Sequence, residues 1–122
     1  MDVIPQEHIR FFRSCALAYE TETHLFVHAN FEAQLPIDEQ DEQVLLWKHL
    51  HLGVPSKHVS GKVAIVGHTP QADGEILDLE HLICIDTYCF GNGFLTAFDV
   101  HSGETWQANK QGMLRSESSR AE

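Results

Sequence analysis

A chain of 122 residues, 43% apolar and 21% charged, suffices for one globular domain or a piece of a larger one. Its formal charge of −10, from 18 acidic against 8 basic side chains, repels phosphate backbones and argues against a nucleic-acid partner. No stretch approaches the ~20 apolar residues of a membrane span, and three cysteines are too few for a disulfide scaffold.

Residues 1–10 lack the apolar run of a signal peptide. Cys15, Cys84 and Cys89 read as reduced thiols, so a cytoplasmic setting is expected. A helix is predicted over residues 5–16, with Pro5 at its start, Glu7 in its first turn, and Ile9, Phe12 and Ala16 at helical spacing. Residues 20–23 read as a turn, and His24-Leu25-Phe26-Val27-His28 as a strand ending near His28.

A second helix is predicted from the acidic run at residues 38–42 to a stop at Gly53, with Val44, Leu45, Trp47 and Leu50 as its buried stripe. His49 and His51 then sit at its C-terminal end, where a cation suits the helix dipole. Residues 62–68 form an apolar run with little alternation, as expected of an interior strand covered on both faces, and Thr69-Pro70 breaks it. Residues 82–86 form a third apolar strand ending on Asp86. Gly91-Asn92-Gly93 is a loop, and the alternation of residues 94–100, followed by a turn and residues 105–109, predicts a hairpin.

Two apolar strands thus end in His28 and His68, and a third in Asp86. Ligands commonly gather beyond such strand ends, and neutral imidazole suits Zn, Fe or Mn. A single histidine at a strand end is more often a turn or partly buried residue, and Asp86 alone more often belongs to a turn. His8, His58, His81 and His101 read as surface residues, and Cys84 as core. Cys89 lies in a loop, which leaves a thiol hydrolase as a third functional class, although no His or Asn has recognisable spacing around it.

Taken in order, Phe26-Val27-His28-Ala29-Asn30, Leu45-Leu46-Trp47, Val66-Gly67-His68-Thr69-Pro70-Gln71, Ile85-Asp86-Thr87 and Gly91-Asn92-Gly93-Phe94-Leu95-Thr96-Ala97-Phe98-Asp99-Val100 resemble the C-terminal half of calcineurin-like metallophosphoesterases. The branch is the phosphoprotein phosphatase type, with Ser/Thr protein phosphatases and symmetrical diadenosine tetraphosphatases. The resemblance implies an α/β fold, half of an α/β/β/α sandwich, with a mixed sheet and a C-terminal hairpin over residues 1–110. A polar tail at 111–122 is expected to be disordered.

The resemblance further implies a centre of two divalent metals (Mn, Fe or Zn), with His28 and His68 as ligands to one of them. Asn30, Asp86 and Tyr88 are carried over as groups supporting the site or facing the substrate. Asn30 and Tyr88 stand where the family usually has glycine, and Tyr88 is open to two readings, lining a substrate pocket or packing. The implied substrates are phosphoproteins or dinucleoside polyphosphates.

The family's N-terminal motifs Gly-Asp-x-His-Gly, Gly-Asp-x-x-Asp-Arg-Gly and Gly-Asn-His-Glu do not occur in this sequence. They supply the bridging Asp, further ligands, the proton donor and the phosphate-binding Arg. The expectation is therefore a segment inactive alone, starting where the second half begins, which self-associates or pairs with an N-terminal half. A non-catalytic interaction module derived from the same fold is the alternative.

Overall fold

A computed structural model describes residues 3–115. Helix α1, Gln6–Ser14, follows Pro5, has Glu7 in its first turn and Arg13 in its last, and buries none of its residues. It leads into β1, Ala18–Glu20, which pairs antiparallel with β2, His24–Val27. Glu20, expected in a turn, is therefore a strand residue. The turn itself is residues 21–23, held by the His24 amide donating to the Thr21 hydroxyl at 2.9 Å.

The strands β3 (Val63–Val66), β4 (Leu77–Asp78) and β5 (Leu82–Cys84) complete a five-stranded mixed sheet in the order β1-β2-β3-β5-β4. The central strands β2, β3 and β5 run parallel, and antiparallel β1 and β4 flank them. Leu25 and Val27, Ala64 and Val66, and Leu82 and Cys84 turn one face of these strands into a buried core with Phe31, Leu45 and Leu50. Each fully buried large side chain of this kind contributes about 1.5–3 kcal/mol. Ile65, on the opposite face of β3, is buried as well, as the unbroken apolar run predicts for an interior strand.

The second predicted helix is divided. A 3-10 turn covers Ile37–Glu39, helix α2 covers Glu42–Trp47, and another 3-10 turn covers Leu50–Leu52. Asp41 caps α2 by accepting from the Gln43 amide. Hydrogen bonds to distant backbone replace helix propagation here. The Gln40 amide bonds Glu32 and Leu35, and the Ala29 amide takes the Leu45 carbonyl. As a result Trp47, expected in the buried stripe, is 61% exposed, while Leu45 and Leu50 are buried.

The predicted third strand is also divided. β5 ends at Cys84, and Asp86 opens β6, Asp86–Thr87, in a second sheet with β7 (Phe94–Phe98) and β8 (Thr105–Ala108). The chain crosses between sheets at Ile85, whose amide still bonds the Val66 carbonyl at 2.9 Å. β7 and β8 form the expected hairpin, Leu95↔Ala108 to Phe98↔Thr105. Thr87, Thr96 and Gln107 make a polar seam beneath it, with Gln107 Nε2 donating to the Thr96 hydroxyl at 2.9 Å. Within the expected tail, Leu114 bridges Ala108 and Arg115 pairs with Glu75, while residues 116–122 lie outside the described residues. No helix among the described residues is long and apolar enough to cross a membrane.

Candidate functional site

His28 and His68 come from the C-terminal ends of neighbouring parallel strands. His28 follows β2 directly, while Gly67 separates His68 from β3. The Gly67 amide bonds the His28 carbonyl at 2.8 Å, which joins the two strand ends. A side chain at 67 would stand 3.6 Å from that carbonyl and 3.9 Å from the Asp86 Cβ, so Gly67 lies between the loops that carry His28 and Asp86. The chain then turns sharply. The Thr69 amide bonds the Gly67 carbonyl at 2.7 Å, and His68 takes a φ of 65°, a left-handed conformation uncommon outside glycine.

This turn swings the His68 ring back onto His28. Nε2 of His28 and Nδ1 of His68 are 3.1 Å apart, with ring centroids 4.8 Å apart, although 40 positions separate the residues. The other nitrogen of His68, Nε2, lies 3.1 Å from the Trp47 carbonyl. A carbonyl only accepts, so the neutral His68 ring carries its proton on Nε2 and turns the Nδ1 lone pair toward His28. In the metal-free pair, His28 Nε2 donates to that lone pair. Loss of hydration, followed by repulsion from His68, holds His28 below the ordinary histidine pKa, and Asp86 partly offsets this. The effect favours neutral imidazole, the form that ligates metals.

The pair fits a divalent ion in part. Two nitrogens at about 2.0–2.1 Å from an ion, at an angle of about 90–110°, lie about 2.8–3.4 Å apart. Among the described residues, no group of three or more His, Cys, Asp or Glu could hold a metal. A closed zinc site takes four protein ligands and a catalytic one usually three, so two imidazoles are an incomplete set.

The remaining predicted residues are placed as follows. Asp86 accepts the Tyr88 amide at 3.2 Å through Oδ1, and its carbonyl accepts the Gln71 amide at 2.8 Å, which fixes the loop after β5. Asn30 is fully buried. Its Nδ2 donates to the Gly53 carbonyl at 3.1 Å, and its Oδ1 accepts the Phe31 amide at 2.8 Å, so it braces the loop behind His28. Tyr88 has a φ of 70°, and its ring packs edge-on against Phe90.

Other histidines depart from expectation. His58, read as a surface residue, is 3% exposed, with Nε2 2.7 Å from the Leu35 carbonyl and Nδ1 against Ser60. His49 does not sit in the last turn of α2, which ends at Trp47 with Lys48 as its C-cap, but precedes the 3-10 turn Leu50–Leu52. Its ring stacks on His68 at 4.2 Å, and His51 stacks on His49 at 5.0 Å. Loss of hydration, then the neighbouring His68 and His51, lower the His49 pKa. Local pattern gave no signal for this, because the break after Trp47 that turns His49 toward β3 depends on tertiary hydrogen bonds.

No family model and no curated protein matches this chain.

Proposed function

We propose that the chain contributes half of a metal centre to a phosphoester hydrolase of the calcineurin-like, Ser/Thr phosphatase type. His28 and His68 would hold one of two divalent ions (Mn, Fe or Zn). The observation that carries this reading is the 3.1 Å approach of His28 Nε2 to a His68 Nδ1 whose tautomer the Trp47 carbonyl fixes. Metal-bound histidine commonly donates its second ring N–H to a backbone carbonyl in this way.

When bound, such ions lower the pKa of a bound water and stabilise the oxygens of an in-line displacement at phosphorus. The chain's own part is narrower. His68 presents Nδ1 from a fixed ring. His28 presents Nε2 once its proton sits on Nδ1. Asp86 lends negative charge beside them. The bridging carboxylate, proton donor and phosphate-binding cation belong to the N-terminal motifs that this sequence lacks, so hydrolysis by this chain alone is expected to be absent or weak.

Phosphoproteins and dinucleoside polyphosphates are the substrates this reading suggests, in a cytoplasmic setting consistent with three free thiols. Completion by an N-terminal half, or self-association, fits the exposed apolar surface. Phe11 and Phe12 lie open on α1, and an apolar groove of about 400 Å³ is lined by Leu17, Tyr19, Phe26, Ile65 and Ile85 beside His28. The same surface favours the second reading, a non-catalytic interaction module.

The test combines metal binding with turnover. The purified chain should bind Mn or Zn, His28→Ala and His68→Ala should each abolish that binding, and chromogenic phosphomonoester turnover should stay at the level of the double variant. Joined to a segment bearing the acidic motifs, the chain should hydrolyse the ester with Mn. Metal binding unaffected by either substitution would refute the reading.

A further inference from the structure

We propose that His49 is a positioning residue that holds the His68 ring at the orientation metal binding needs. The inference rests on the reading of His28 and His68 as ligands.

Three hydrogen bonds tie the segment after α2 to the two loops that carry those histidines. The Ala29 amide, next to His28, takes the Leu45 carbonyl at 2.7 Å. His68 Nε2 donates to the Trp47 carbonyl at 3.1 Å. The Leu50 amide donates to the hydroxyl of Thr69, next to His68, at 2.8 Å. His49 lies between the last two contacts, so its backbone is pinned on both sides.

The ring of His49 covers one face of the His68 ring. The centroids are 4.2 Å apart with an interplanar angle of 30°, and the Trp47 indole meets the same ring edge-on at 6.0 Å. The single hydrogen bond to the Trp47 carbonyl is lost when the His68 ring rotates away from it, and the proton is then no longer fixed on Nε2. A stacked neighbour opposes this rotation, because tilting the ring would lose the face contact. In a near-parallel stack the in-plane lone pairs of the two rings run side by side rather than converging on one point. His49 therefore acts through the face of His68, not as a ligand. The stack compensates for two features of His68, its left-handed backbone and its partly open surroundings.

The test uses the full chain with 15N-labelled histidine and Zn2+ as the probe. In the zinc-free wild type, His68 should show a single tautomer protonated on Nε2, and zinc should shift His28 Nε2 and His68 Nδ1. His49→Ala should mix the His68 tautomers and weaken zinc binding by about tenfold or more, the range found for groups that orient ligands. His49→Phe keeps a flat ring without nitrogen and should restore both readouts.

Wild-type affinity and one tautomer in His49→Ala would overturn the proposal. So would a His49→Phe protein as impaired as His49→Ala, since the nitrogen would then be what matters. If zinc leaves both wild-type nitrogens unshifted, or binds His28→Ala and His68→Ala undiminished, the metal reading fails. The zinc-free tautomer of His68 still decides whether His49 positions that ring.

Discussion

The buried amide of Asn30 joins two loops distant in sequence, donating to the Gly53 carbonyl at 3.1 Å while accepting from the Phe31 amide at 2.8 Å. It thereby ties the segment after His28 to the end of the α2 region that contacts His68. Asn30→Gly would remove both bonds. A buried donor or acceptor left unmade costs about 1–3 kcal/mol. Urea unfolding should show a loss of about 2 kcal/mol or more, and wild-type stability in this variant would assign the bracing role elsewhere.

Tyr88 and the glycines after it form one unit. A Cβ at position 93 would lie 1.8 Å from the Thr87 carbonyl oxygen, and one at 91 would lie 2.2 Å from the Tyr88 ring. The first obstacle is backbone and cannot move aside. Gly93→Ala should destabilise by about 3 kcal/mol or more. Gly91→Ala meets a side chain, so its cost should fall in a Tyr88→Gly background, which also relieves the positive φ at that position. A double-mutant cycle by thermal unfolding checks this, and strictly additive effects would contradict it.

The β7–β8 turn should be sensitive to acid. The Asp99 carboxylate accepts the His101 amide at 2.9 Å and the Ser102 amide at 3.2 Å, and these bonds hold its pKa below the ordinary 3.8. The unfolded chain takes up this proton at higher pH than the folded one. The contribution is therefore complete above the unfolded value and is lost as pH falls through the folded one. Wild-type urea midpoints should drop below about pH 4 more steeply than those of Asp99→Asn. Parallel curves for the two proteins would remove Asp99 from the account.

The cysteines should separate by reactivity. Cys84 is buried, and burial pushes its thiol above the ordinary value, which keeps it protonated. Cys15 is exposed and Cys89 partly so. Iodoacetamide should modify Cys15 and Cys89 in the native chain, and Cys84 only after unfolding, as read by intact and peptide mass. On the metal reading, hydrolysis by the completed enzyme should survive modification of Cys89. Loss of that activity would favour thiol chemistry.

Much of the scaffold was legible in the residues. The apolar, β-branched runs around Phe26, Ile65 and Ile83 became the parallel strands β2, β3 and β5. The alternation from Phe94 to Phe98 became a hairpin strand with its odd positions outward. Each pattern is local, since it records which faces of one segment avoid water. The positions of His28 and His68 at strand ends followed from the same runs.

Beyond the β7–β8 hairpin, strand pairing and direction were not legible, nor were the interruptions, because their causes lie far along the chain. The exposed Trp47, the buried His58 and the His49 ring on His68 follow from carbonyls and amides contributed by other segments. Local pattern thus determined the interior strands and the hairpin, and that imidazoles would stand at two strand ends, but not the short strands β1, β4 and β6. Only tertiary structure decided that those imidazoles meet, since a contact across 40 positions depends on parallel strand pairing and on the left-handed turn at His68.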